Sequence, residues 1–127
     1  MDWDVVISGA GLGGLCAASG LSRAGFRVLV LERDESPLSR QQGYRININI
    51  AGDIALRECL PPSHYALYQD TSHRQLDPSV DIFTSDLRPI FHRAAEVPAN
   101  GPPPAAVDRS TLRSILLDAA PTVRFGL

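Results

Sequence analysis

Two cysteines in 127 residues, Cys16 and Cys59, are too few and too poorly spaced for a disulfide framework or a thiolate metal site. Neither belongs to a Cys-x-x-Cys pair and neither has a histidine at ligand spacing. They read as small buried residues in a reducing compartment. Histidine is nearly as scarce: His64, His73 and His92, separated by 9 and 19 residues, match no metal or triad pattern, and each reads as a surface or packed side chain. No apolar run approaches the ~20 residues of a membrane span. The acidic start Met1-Asp2-Trp3-Asp4 leads into only a short apolar stretch, so no signal or transit peptide is expected and a cytoplasmic location is. Charge of one sign is also missing. Twelve basic against 14 acidic side chains leave a net charge of −2, which favours neither nucleic acid nor an anionic membrane as partner.

What is present begins at Val5-Val6-Ile7-Ser8-Gly9-Ala10-Gly11-Leu12-Gly13-Gly14, an apolar strand running into a glycine-rich turn that opens a helix. In such a turn Gly9 permits the tight exit from the strand, Gly11 lets the backbone approach a pyrophosphate, and Gly14 lets the helix pack closely on the sheet. The helix is predicted over Leu12 to Ala24, with small or apolar Gly14, Ala18 and Leu21 on one face and Gly25 as its stop. A second strand, Arg27 to Leu31, ends in Glu32, 18 residues after Gly14. That is where a βαβ unit places the carboxylate that accepts from a ribose. The plain alternative is a βα unit that packs well and binds nothing. The spacing also predicts that the turn leaves a central parallel strand, and that the Glu32 carboxylate lies free on the side of the turn.

Asp34 to Gly43, rich in turn residues, reads as a loop. Tyr44 to Ile50 alternates isoleucine with polar residues and reads as a half-buried strand. Ala51 to Leu60 reads as a short helix stopped by Pro61-Pro62, and Ser63 as the cap of another over about His64 to Thr71. Val80 to Thr84 and Pro89 to His92 suggest a hairpin, with Asp81 and Asp86 solvated. Pro98 to Pro104 is expected to be a surface loop. A helix is read from Asp108 onward, and Thr122 to Phe125 would be a third sheet strand. At this length one domain is expected, able to bury about two-thirds of its unfolded surface if its topology closes.

The pattern Gly9-x-Gly11-x-x-Gly14-x-x-x-Ala18-x-x-Leu21-x-x-x-Gly25-x-x-Val28-x-Val30-x-Glu32-Arg33 resembles the amino-terminal FAD-binding segment of the class A flavoprotein monooxygenases, the para-hydroxybenzoate hydroxylase fold. Gly43-Tyr44-Arg45-Ile46-Asn47-Ile48 with the adjoining GDIALRECLP is similar to the segment after the second strand in fungal and actinobacterial members. Val107-Asp108-Arg109-Ser110-x-Leu112-Arg113-x-x-Leu116-Leu117 is similar to the later helix that begins with a flavin-contacting arginine. The resemblance implies an α/β fold: a Rossmann-like parallel sheet with a βαβ dinucleotide-binding unit, an incomplete FAD-binding domain over 1–127 with a small β-hairpin insertion at 80–92 belonging to the substrate-side sheet. It implies FAD as cofactor, with Gly9, Gly11 and Gly14 at the pyrophosphate, Glu32 on the adenosine ribose, Arg33 beside the adenine, Gly43 as a backbone contact and Arg109 near the ribityl and pyrophosphate. Arg40 or Arg45 would be a further contact, and the sequence does not choose between them; taken singly, each reads as a solvated surface charge.

In intact members NAD(P)H reduces FAD and one oxygen atom enters an aromatic or alkene substrate, so the partner implied is a small organic molecule. The cofactor carries that chemistry, and no catalytic side chain and no metal ligand is expected in this chain. Family members continue into an Asp-Gly motif and a Gly-Asp motif whose aspartate binds the ribityl chain, and neither occurs after Arg109 here. The strands that flank the first strand on its other side are also missing from the pattern. The expectation is therefore an open cofactor groove, a bare sheet edge and no independent activity. A non-catalytic nucleotide-binding module and an NAD-dependent reductase fragment are the alternatives. Arg33, Gly43 and Arg109 favour FAD over NAD through the resemblance alone.

Overall fold

A computed structural model of the chain describes residues 2–37, 39, 43–74, 79–94 and 104–127. Arg40 and the expected loop at 98–103 lie outside the described residues. The apolar run at the start forms β1 (Val5–Ser8), and Gly9 turns out of it at φ +101°, a conformation with a steric penalty for any side chain. Next in the chain is helix α1 (Leu12–Arg23), and β2 (Val28–Leu31) returns beside β1 in parallel, Val5 opposite Val28. The sequence places these three elements to within one residue. Gly14 shows why the helix can lie so close to the strand: a Cβ there would stand 2.2 Å from the Gly9 carbonyl oxygen.

After β2 come β3 (Arg45–Ile48), α2 (Ile50–Cys59) and α3 (Pro62–Thr71). The Asn49 side chain caps α2 by accepting from the Gly52 N–H at 2.9 Å. The cap of α3 differs from expectation. Pro61 takes the cap position without a side-chain bond, and Pro62 starts the helix, because its fixed φ suits the first helical position and its missing N–H would have had no partner there. The remaining elements are β4 (His73–Arg74), β5 (Val80–Phe83), β6 (Pro89–Arg93), β7 (Ala105–Asp108), α4 (Arg109–Ala119) and β8 (Thr122–Arg124).

Among the described residues the strands form three sheets: β1-β2-β8, all parallel; β3-β7-β4, antiparallel; and the hairpin β5-β6. The third parallel strand stands where the sequence puts it, beside β2. β1 is not central: it is an edge of its sheet among the described residues, and Val6 is 55% exposed there. The hairpin is likewise open to solvent, with Val80, Ile82, Phe83, Ile90 and Phe91 all exposed. Core residues from α1 (Leu15, Ala18), β2 (Val28, Val30), β7 (Ala105, Val107), α3 (Tyr68) and α4 (Leu112, Leu116) pack into one cluster, which fixes α4 against α1 and brings the start of α4 over the glycine turn.

The two cysteines sit where α1 crosses α2 and are half-buried rather than fully buried. A Cβ on Gly20 would meet Cys59 Sγ at 2.8 Å. Burial pushes the Cys16 thiol up to about 12, so it is inert at neutral pH. No helix among the described residues is long and apolar enough to cross a membrane.

Candidate functional site

A cleft of about 860 Å³ opens at the carboxyl ends of β1 and β2. Its lining joins the glycine turn (Gly9, Ala10, Gly11), the stretch leaving β2 (Glu32, Arg33, Asp34, Pro37), Gly43, and one face of α4, including Arg109 and Arg113. Six of the seven residues singled out in the sequence thus meet in one place. The seventh, Gly14, lies behind the turn and acts through its contact with Gly9. Arg45 projects from β3 as an exposed residue outside that lining.

The floor of the cleft is the turn that leads into the amino terminus of α1. Gly11 caps α1 with no side-chain bond, and the first turn carries no acidic residue. The leading N–H groups therefore have no side-chain acceptor, and the positive end of the helix dipole lies beside the turn that lines the cleft.

Glu32 stands at the wall. Its Oε2 accepts from the Ala10 N–H at 2.8 Å and its Oε1 accepts from the Asp34 N–H at 3.1 Å. The carboxylate is on the side of the turn, as the spacing predicts, but it is engaged rather than free. Each oxygen retains a second lone pair, enough to accept a hydroxyl without giving up the bond it already holds. The backbone N–H of Asp34 is the main cause holding the Glu32 carboxyl below the usual glutamate range; burial opposes it, and the N–H groups of Ala10 and Arg33 and the charge of Arg113 add to it. A group with a depressed folded value stabilises the fold above its unfolded value, and that contribution fades as pH falls through the folded one. The melting temperature of Glu32→Gln should accordingly lie below that of the native chain at neutral pH, with the two converging toward acid. Curves that stay parallel down to acid pH would refute this.

Across the cleft, Asp108 caps α4 by accepting from the Thr111 N–H at 2.9 Å and from the Ser110 hydroxyl. The Arg109 guanidinium lies 5.9 Å over the Tyr44 ring, and its backbone N–H donates to the Tyr44 carbonyl at 3.0 Å. Arg113 donates to the carbonyls of Ala10 and Pro37. The sequence did not single out Arg113 as a site residue, although its spacing of four from Arg109 puts both on one helical face. Three arginines, two carboxylates and a helix amino terminus suit a ligand that carries both phosphates and ribose hydroxyls.

Residues 7–49 match the model of the NAD(P)-binding Rossmann-like domain. A dual O-methyltransferase/FAD-dependent monooxygenase of Phaeosphaeria nodorum is 32% identical over 121 residues, which are 89% of this chain and 12% of that protein. A protein of the same description from Cercospora beticola is 38% identical over 65 residues, 51% of this chain and 8% of its own length. Among solved structures, an FAD-containing monooxygenase from Photorhabdus luminescens superposes with a TM-score of 0.76 at 27% identity over 98% of this chain and 31% of its own. In sequence and fold the chain is similar to a portion of these FAD-dependent monooxygenases. The flavin-dependent monooxygenase PieE, solved with FAD and substrate, shares the fold at 19% identity, with a TM-score of 0.77 over 99% of this chain and 24% of that one. The chain spans about an eighth or less of these curated relatives and under a third of these solved structures.

The histidines stay apart from the cleft. His64 Nε2 lies 2.9 Å from an Asp118 carboxylate oxygen and His92 Nδ1 lies 2.6 Å from one of Asp81, while His73 is exposed on β4. Among the described residues no group of histidine, cysteine and carboxylate side chains is placed to hold a metal ion.

Proposed function

We propose that this chain forms the adenosine-diphosphate-binding wall of a flavin-dependent monooxygenase that uses NAD(P)H and oxygen to hydroxylate or epoxidise a small organic molecule. The observation that carries the reading is the convergence on one cleft of uncapped α1 amides, the Glu32 carboxylate and the Arg109 guanidinium. Gly9, Gly11 and Gly14 shape the turn so that the amides meet a pyrophosphate. Glu32 accepts from the ribose hydroxyls, Arg33 lies beside the adenine, Gly43 offers its backbone, and Arg109 balances phosphate charge toward the ribityl chain. FAD, when bound, supplies electron transfer and oxygen activation, and the protein supplies position and exclusion of water.

The described residues supply a wall suited to the nucleotide half, and oxygen chemistry at a flavin ring also needs enclosure against water. In this reading the open hairpin belongs to the substrate-side sheet, the location is cytoplasmic and the 127 residues lack independent activity. Titration of the purified chain with FAD, followed by flavin fluorescence, and with ADP by calorimetry should show weak and similar affinities. Glu32→Ala should bind ADP roughly tenfold less well through loss of a charged acceptor. NAD(P)H consumption that depends on substrate is not expected. Tight stoichiometric FAD binding with such consumption would mean a self-sufficient flavoenzyme. The match to an NAD(P)-binding domain favours a second reading, a nucleotide-binding module or reductase fragment, and NADH binding clearly tighter than FAD would select it.

A further inference from the structure

Arg113 stands one turn beyond Arg109 on α4, and its side chain spans the cleft's two walls. Its Nε donates to the Ala10 carbonyl at 3.2 Å and its Nη1 donates to the Pro37 carbonyl at 2.6 Å. The first carbonyl belongs to the glycine turn after β1 and the second to the segment that leaves β2. The backbone of Ala10 is consequently held on both sides, its N–H by Glu32 and its C=O by Arg113. Arginine suits this bridge because its planar fork presents donors on separate nitrogens in a fixed geometry, which a lysine ammonium cannot reproduce. The same side chain places a positive charge near the Glu32 carboxylate.

We propose that Arg113 is the positioning residue of the adenosine end of the cleft: by tying the glycine turn to the segment at 33–37 it sets the register in which Glu32 meets a ribose. Both of these donors are directed at protein backbone, so what they do for a ligand runs through Glu32 and the Ala10 backbone. The inference rests on the nucleotide reading above. It differs from general support of the fold in one measurable respect. A loss of stability weakens all nucleotides alike, whereas a loss of register selectively removes the advantage of a ligand that offers Glu32 its full set of ribose hydroxyls.

The test compares ADP with 2′-deoxy-ADP by calorimetry on the native chain, Arg113→Met and Arg113→Lys, each checked for folding by near-ultraviolet circular dichroism. The native chain should prefer ADP. Arg113→Met should bind ADP roughly tenfold less well and lose that preference, and Arg113→Lys, with one nitrogen to span two carbonyls, should lose about half of it. Equal weakening of both nucleotides with the preference intact would overturn the proposal, as would native affinity in Arg113→Met. If Arg113→Met does not fold, Arg113→Lys decides: an unchanged preference refutes the positioning role. Failure of the native chain to bind ADP would remove the nucleotide reading and this inference together, whereas ADP binding without any Arg113 effect removes this inference alone.

Discussion

Gly14→Ala should destabilise the chain by about 3 kcal/mol or more and remove nucleotide binding with it, a large effect for one methyl group. Helix propensity favours the alanine by about 1 kcal/mol. Sterics decide the outcome in the other direction. The added carbon would stand 2.2 Å from the Gly9 carbonyl oxygen and 3.4 Å from Ile7 Cγ2, and a backbone oxygen has no rotamer by which to withdraw. Relief requires the helix to lift off β1, which opens the turn that presents the amides. Gly13→Ala is the internal control: a carbon there meets nothing within 4 Å, so the propensity gain should appear undiminished. Urea denaturation of both variants measures the contrast, and a midpoint for Gly14→Ala at or above the native one would show that the helix and strand are not in the contact described.

Asp53→Ala is expected to cost about 3–5 kcal/mol, the range for removing one partner of a buried ion pair. Asp53 is 3% exposed on α2, and one of its oxygens accepts from Arg74 at 2.8 Å and from the Tyr68 hydroxyl at 3.1 Å while the other accepts from the Tyr65 hydroxyl at 3.0 Å. Burial, and after it the aspartate charge, drives the Tyr68 hydroxyl well above the usual tyrosine range, so it keeps its proton and donates it to Asp53. One carboxylate therefore gathers α2, α3 and β4. Its loss removes the acceptor that three donors share and leaves a hole, against a total stability of about 5–15 kcal/mol for an ordinary domain. Asp53→Asn, which keeps an acceptor but not the charge, should fall between. A loss below about 1 kcal/mol in chemical denaturation of Asp53→Ala would mean that the network is not closed in solution.

The contrast between these two sites explains what was legible in the sequence. The glycine turn, α1, β2 and Glu32 are governed by local rules: positive φ, close packing, a strand of continuous apolar residues and a fixed spacing to a carboxylate. Each leaves a mark within some 25 residues of chain, and the structure places them where those rules put them. The Asp53 network is assembled from Asp53, Tyr65, Tyr68 and Arg74, whose spacings match no motif and whose burial depends on how α2 and α3 pack. β7 escaped for a related reason. Ala105-Ala106-Val107 comes after a proline-rich run and has little strand propensity, yet β3 and β4 hold it from both sides and bury it. At the cleft, Arg109 was legible through the helix around it. Arg113 was not, because its targets are backbone carbonyls that no side-chain pattern reveals.

The parallel sheet also dictates an order of assembly. The hairpin brings Ile82 opposite Phe91, nine residues away, and β1 meets β2 with Val5 opposite Val28, but β2 meets β8 only with Leu29 opposite Thr122, across 93 residues. Closing that longest loop costs about 1.2 kcal/mol more in chain entropy than closing the 23-residue one. Contacts of high sequence separation form late and slowly. The glycine turn and Glu32 therefore belong to an early, local unit, while Arg109 and Arg113 arrive with α4 just ahead of β8. The two sides of the cleft are thus expected to form at different stages of folding, the glycine turn and Glu32 first and the arginines of α4 with the long-range pairing of β2 and β8.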